Sequence, residues 1–172
     1  MSLSVVYTRA ALGINAPLIT IEVHISQGLP GLVMVGLPET TVKESRDRVR
    51  SAIINSGYTF PAKKITINLA PADLPKEGGR YDLPIAIALL AASEQLNCHK
   101  LGQYEFVGEL ALTGVLRGIP GALSAAIEAI NAGRQIILAE DNAPLVGLLG
   151  GSDCLIASHL LEVCAFLEGK QA

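Results

Sequence analysis

The stretch from Asp82 to Leu96 constrains the fold most. Leu83, Ile85, Ile87, Leu89 and Leu90 follow one another with almost no polar interruption. A helix that is apolar on every side cannot lie on a surface, so it must be covered all round by other elements. Asp82 is placed to cap it, and Pro84 fits its first turn, where a missing N–H costs nothing. The rest of the chain has to supply the layers around this helix.

Strands supply the first layer. Val5, Tyr7 and Arg9 alternate with Val6 and Thr8, and Ile19, Ile21, Val23 and Ile25 alternate with Thr20, Glu22, His24 and Ser26. That period of two predicts half-buried strands. Gln27–Gly31 reads as a turn, Leu32–Val35 as a short strand, and Glu39 to Ser56–Gly57 as a helix with a stripe of Val42, Val49, Ile53 and Ile54. Lys64–Leu69 reads as a strand, and Ala70–Gly79 as a loop rich in proline and glycine. Further on, Phe106–Gly108 with Ala111–Val115 predicts a hairpin, and Ile119–Ala132 a helix. Gln135–Ala139 then predicts a strand, Ala143–Leu149 a short helix, Cys154–Ile156 a strand and His159–Leu167 a last helix. The fold class expected is α+β (mixed α/β), with mixed sheets flanked by helices. Residues 1–168 are expected to form a single domain and 169–172 the start of a linker.

Composition narrows the function classes. The chain has 172 residues, 50% of them hydrophobic, and a mean hydropathy of +0.43. That excludes a disordered chain and points to much internal or partner-covered surface. With 13 basic and 16 acidic residues, any nucleic-acid site has to be a local patch. Trp is absent and aromatics are 4%, so platforms for stacked bases are scarce. Cys98, Cys154 and Cys164 form no framework and fit free thiols in a reducing compartment. Val23–Pro38, the longest run without an acidic or basic residue, contains three glycines and two prolines and is too short to span a bilayer. No signal-peptide pattern opens the chain. A cytoplasmic protein without membrane contact is expected.

Neither G-x-x-x-x-G-K-[ST] nor G-x-G-x-x-G occurs, so no phosphate loop is expected. Cys154, His159 and Cys164 are five apart, about 140° from one another on a helix, which makes core thiols and a capping histidine the better reading than a metal site. Two segments carry concentrated charge. Lys43–Arg50 holds four basic and two acidic residues in eight, and Lys43, Arg46 and Arg50 share a helix face. That face could contact phosphate backbone or an acidic partner, or it could be a solvated face with Glu39–Lys43 and Asp47–Arg50 pairs. In the second segment, Lys76 and Arg80 flank Gly78–Gly79 just before the apolar helix, where free N–H groups would favour an anion, or the segment is simply a solvated loop joining strand to helix.

Gly36–Ile53, Asn68–Gly78, Asp82–Ala86 and Gly108–Gly114 together resemble the signatures of the YifB/ComM family of Mg-chelatase-like AAA+ ATPases, in order and over the whole chain. The resemblance implies an N-terminal domain preceding an ATPase module absent from this sequence. ATP and magnesium would belong to that module, with no cofactor and no metal in this chain. It also implies a hexameric DNA helicase that drives branch migration during natural transformation, rather than a chelatase. The domain is further similar to the Lon-protease domain, whose Ser lies in P-K-D-G-P-S-A-G and whose Lys lies in G-G-L-K. Here those positions fall on Arg80 and Leu123, so both members of the dyad are missing and no catalytic residue is expected. The expected function is a non-catalytic domain that contacts DNA and assembles into a ring, with Lys43, Arg46, Arg50, Lys76 and Arg80 as contact residues. A regulatory protein-interaction domain without DNA contact, or a residual hydrolase with a relocated nucleophile, are the alternatives.

Overall fold

The structure is a computed structural model that describes residues 2–76, 78–149 and 153–169. The expected linker start therefore lies, beyond Gly169, outside the described residues, as does Glu77 of the loop. The elements run β1 (Ser2–Arg9), β2 (Leu18–Ser26), β3 (Gly31–Val35), α1 (Glu39–Asn55), β4 (Lys64–Ala70), α2 (Asp82–Ala92), β5 (Tyr104–Phe106), β6 (Glu109–Leu110), β7 (Leu116–Arg117), α3 (Ala122–Asn131), β8 (Gln135–Ala139), α4 (Ala143–Val146), β9 (Cys154–Ala157) and α5 (Leu160–Leu167). Among the described residues, seven strands make one mixed sheet in the order β3-β4-β2-β1-β5-β8-β9. The fold is mixed α/β, as the alternation of patterns implies.

The apolar helix is central. Ten of the eleven residues of α2 are buried. It lies across β1 and β2, against the face formed by Val6, Ile19, Ile21, Val23 and Ile25, and α1 covers it from the other side. Ser4 Oγ donates to Ala88 O at 2.6 Å and ties the helix to β1. The helix stops at Ala92, short of Leu96. Ser93 Oγ turns back to Leu89 O, Glu94 takes a left-handed φ of 63°, and Gln95 N–H closes on Leu90 O.

The two halves of the sheet differ. β1, β2 and β4 pair antiparallel, β3 joins the edge parallel to β4, and one face of this half carries the exposed Leu3, Val5, Val33 and Val35. β1, β5, β8 and β9 pair parallel, and β8 is buried on both faces. Ile137 and Ala139 join the core around α2, whereas Ile136 and Leu138 join a second core with Ala122, Ala125, Ala126 and Ala129 of α3. Parallel strands need helical crossovers, which cover both faces. A buried ion network holds this half to β1. Arg9 grips Glu105 through Nε–Oε1 at 2.7 Å and Nη2–Oε2 at 2.9 Å, and Arg134 Nη1 reaches the same carboxylate at 3.2 Å.

The expected hairpin is replaced by a different arrangement. β5 leaves for the main sheet between β1 and β8, while β6 and β7 form a separate two-stranded ribbon. Ala111–Val115 is the turn of that ribbon, closed by Ala111 N–H to Val115 O at 2.9 Å, with Gly114 at φ 95°. The reason lies at Gly108. Its N–H donates to Arg80 O and its carbonyl accepts from Leu83 N–H, so the chain is pinned to the start of α2 and leaves the ladder. α3 likewise starts at Ala122, not Ile119, because the Asn142 side chain takes both the N–H and the carbonyl of Ile119. Among the described residues no helix is long and apolar enough to cross a membrane.

Candidate functional site

The basic helix divides its charges between two sides. Val49, Ala52 and Ile53 of α1 enter the core, and Ser45 is buried with them. Arg48, one residue from this stripe, turns inward. Its Nε meets Asp82 Oδ2 at 2.6 Å and its Nη2 meets Oδ1 at 3.3 Å. Ser45 Oγ donates to Asp82 Oδ1 at 2.7 Å, and Leu110 N–H donates to Oδ2 at 3.1 Å. Asp82 is fully buried. Burial pushes its carboxyl above the ordinary value, and Arg48, Ser45 and the Leu110 N–H pull the other way. The Asp82 hydrogen bond raises the Arg48 guanidinium still further. Asp82 thus ties α1, α2 and the ribbon together and does not cap its own helix, which has no side-chain cap.

Arg46 and Arg50 face the other way, into a groove of about 520 Å³. Asp47, Lys63, Phe60, Pro61, Ala62, Ile65 and the start of β3 with Pro30 form the rest of its walls. The Arg50 guanidinium carbon stands 5.5 Å from the centroid of the Phe60 ring, a cation–π distance. Arg46 Nε lies 3.6 Å from its neighbour Asp47, so the Asp47–Arg50 pairing suggested by spacing is replaced by Arg46–Asp47. That pair is exposed and contributes little to stability. Lys43 is exposed on α1 but does not line the groove. Lys63 and Phe60 were not singled out in the sequence. They follow the helix in a loop, and nothing in their spacing places them beside Arg50.

Lys76 and Arg80 do not join this groove, and neither offers its charge to solvent. Lys76 is buried, and its Nζ donates to the carbonyls of Pro71 and Leu74, the latter at 3.1 Å. Burial lowers its pKa, with Asp73 acting against the shift. Arg80 is also buried, with Nε donating to Arg9 O at 2.9 Å and Nη1 to Pro120 O at 2.8 Å. Burial lowers its pKa too, against the pull of Tyr81. The helix start beside them is not an open anion site. Asp82 N–H donates to Gly79 O and Leu83 N–H to Gly108 O. Leu123, at the other Lon-type position, is half-buried in α3.

The histidine between the two late cysteines has a structural place. His159 Nδ1 accepts from Leu161 N–H at 3.0 Å and so caps α5, which puts the ring proton on Nε2, 2.9 Å from Thr113 O. Among the described residues no three His, Cys, Asp or Glu side chains gather as metal ligands would.

Residues 21–142, which span α1, α2 and the ribbon, match the family model described as subunit ChlI of Mg-chelatase. The chain belongs to this family. Along its full length it is 78% identical to YifB of Escherichia coli K12. Over 99% of its length it is 56% identical to the competence protein ComM of Haemophilus influenzae. It is 36% identical, again over 99%, to Rv2897c of Mycobacterium tuberculosis. The chain spans about a third of the length of these curated relatives, 34% in each case. Within this ChlI-type domain the groove at Arg46 and Arg50 and the buried arginine at position 80 are separate features, with no lining residue in common.

Proposed function

We propose that this chain is the non-catalytic N-terminal domain of a AAA+ DNA-remodelling ATPase, and that it contacts nucleic acid through the groove at α1. The observation that carries this is the convergence of Arg46, Arg50 and Lys63 on one groove with Phe60 in its wall. Guanidinium and ammonium groups spaced along a groove track a phosphate backbone, and an aromatic ring beneath an arginine adds a surface for an unstacked base. The whole-chain similarity to a competence protein supports a role in handling transforming DNA, with branch migration as the reaction of the full-length ring. ATP and magnesium belong to the ATPase module. Six copies of a modest patch around a channel would sum to a strong field.

Lys76 and Arg80 lie apart from this groove, and both are buried and donate to backbone carbonyls inside the domain. The exposed Leu3, Val5, Val33 and Val35 favour a second role for the same domain, contact with a protein surface during ring assembly.

The test is fluorescence anisotropy with single-stranded and forked DNA at two salt concentrations, on this chain and on the full-length protein with ATP. The double variant Arg46→Glu/Arg50→Glu is expected to weaken binding at least tenfold and to flatten the salt dependence. Unchanged affinity and unchanged salt slope in the full-length protein would leave the protein-interaction reading in its place.

A further inference from the structure

The buried Arg80 has donors that the protein does not use. A guanidinium carries five N–H groups. One on Nε and one on Nη1 reach the carbonyls of Arg9 and Pro120. Nη2 is buried and has no hydrogen-bond partner among the described residues. Arg80 forms no ion pair with a carboxylate among the described residues either. A buried arginine almost always has an anion beside it, because a desolvated charge is otherwise costly. Two carbonyls orient this one but do not neutralise it.

Arg80 also forms part of the wall of a cavity of about 600 Å³, the most spacious of those described. Much of the remaining wall is apolar or glycine: Leu12, Pro75 and Ile119, with Gly13, Gly78 and Gly79. A Cβ at position 79 would run into the Glu109 carboxylate, so the glycine makes room for that side chain in the cavity wall. The acid in the wall, Glu109, lies 3.9 Å from Arg117 at the surface and forms no ion pair with Arg80. Among the described residues, the cavity wall therefore combines one cation without an ion pair, the Glu109 carboxylate and an otherwise largely apolar or glycine lining. Its volume is in the range of small-ligand pockets.

We propose that this cavity is a binding site for an organic monocarboxylate with an apolar body, whose carboxylate pairs with Arg80. A single guanidinium with no ion pair among the described residues is matched in charge by one carboxylate. A polyanion does not fit, because one cation cannot balance its charge. The carboxylate could be the C-terminus of a peptide or a free small acid. Both present the same chemistry to Arg80. The site is independent of the nucleic-acid groove.

The experiment is calorimetric titration of the folded chain with four probes: N-acetyl-alanyl-leucine as the free acid, its C-terminal amide, benzoate, and inorganic phosphate. Binding of the free acid with at least tenfold weaker binding of the amide supports the site and points to a peptide terminus. Binding of benzoate without the dipeptide acid supports it and points to a small free acid. Binding of neither acid, equal binding of acid and amide, or phosphate binding as tightly as the acids overturns the proposal. Arg80→Gln should abolish binding, but it also removes two bonds to the backbone. Leu12→Trp is therefore the second variant. Leu12 lines the cavity from an exposed turn held by its own backbone, so a larger side chain there is expected to narrow the cavity. It should weaken acid binding at least tenfold while the melting temperature and DNA affinity stay unchanged. Unchanged acid binding in Leu12→Trp would overturn the assignment of the cavity.

Discussion

Arg48 Nε stands 2.6 Å from Asp82 Oδ2, and this one contact joins the basic helix to the first residue of the buried helix. The carboxylate is fully buried while the arginine keeps about a quarter of its side-chain surface, 23%. Removing the arginine leaves an uncompensated charge in the core, and breaking such a pair costs about 3–5 kcal/mol. Arg48→Met should therefore destabilise strongly, and Arg48→Met combined with Asp82→Asn should cost clearly less than the sum of the two. Urea unfolding of the four proteins in a double-mutant cycle measures the difference. Additive losses would mean that the two side chains are not coupled.

The second buried pair joins β1 to β5. Glu105 is fully buried and accepts from both Arg9 and Arg134. Glu105→Gln should lower stability by about 3 kcal/mol or more, since two cations lose their shared anion. The urea midpoint checks this. Arg134→Ala should cost less, because that residue is partly exposed and stacks 4.1 Å above the Tyr7 ring.

Alkaline pH should weaken the fold in a defined window. Burial pushes the Cys164 thiol up to about 11 from 9.0, in spite of its hydrogen bond with Tyr58. Burial also pushes Tyr81 up to about 12 from 10.0, against the pull of Arg80. Between the unfolded and folded values the native state holds more protons than the unfolded chain, so stability falls as pH rises. Stability should be constant near pH 8 and drop from about pH 9 upward, by about 2–3 kcal/mol through Cys164 alone once both states are ionised. Chemical denaturation at a series of pH values measures the slope, and Cys164→Ala should flatten its lower part. In the native state at pH 8, Cys98 and Cys154, which are only half-buried, should react with a thiol reagent well before Cys164.

Lys76 and Arg50 should separate stability from binding. Lys76→Met removes a buried ammonium held by two carbonyls and should leave DNA affinity unchanged. Arg50→Ala, exposed over Phe60, should leave the urea midpoint within about 0.5 kcal/mol and weaken single-stranded DNA binding. Each lost phosphate contact should reduce the salt slope by about 0.7 for a single strand. Anisotropy titrations of both variants provide the comparison, and a binding loss in Lys76→Met would contradict its buried position.

The order of elements was legible in the chain because burial repeats at short spacing. The period of two in Ile19, Ile21, Val23 and Ile25 marks a strand with one wet face, and all four are buried. The unbroken apolar run after Asp82 marks a helix that must lie inside, and it does. Boundaries were less legible where a distant group intervenes. Asn142 ends the register of the segment at Ile119, 23 positions away, and Arg80 and Leu83 pull Gly108 out of a hairpin. The family was legible from long motifs, which the match over residues 21–142 bears out.

The role of each charge was decided elsewhere. Arg46, Arg48 and Arg50 are the same residue type on one helix, and helical spacing sets Arg46 and Arg50 on one face with Lys43 but assigns Arg48 no partner. Asp82, 34 positions away, turns Arg48 into a structural tie, while Phe60 and Lys63 set Arg46 and Arg50 along a groove. Lys76 and Arg80 read as a cationic loop, yet carbonyls at Pro71, Leu74, Arg9 and Pro120 draw both inside. By itself the sequence determined which segments must be buried, because hydrophobic burial follows local periodicity. Only the tertiary structure decided which charges meet solvent, because desolvation and pairing depend on groups that are remote in the chain and adjacent in space.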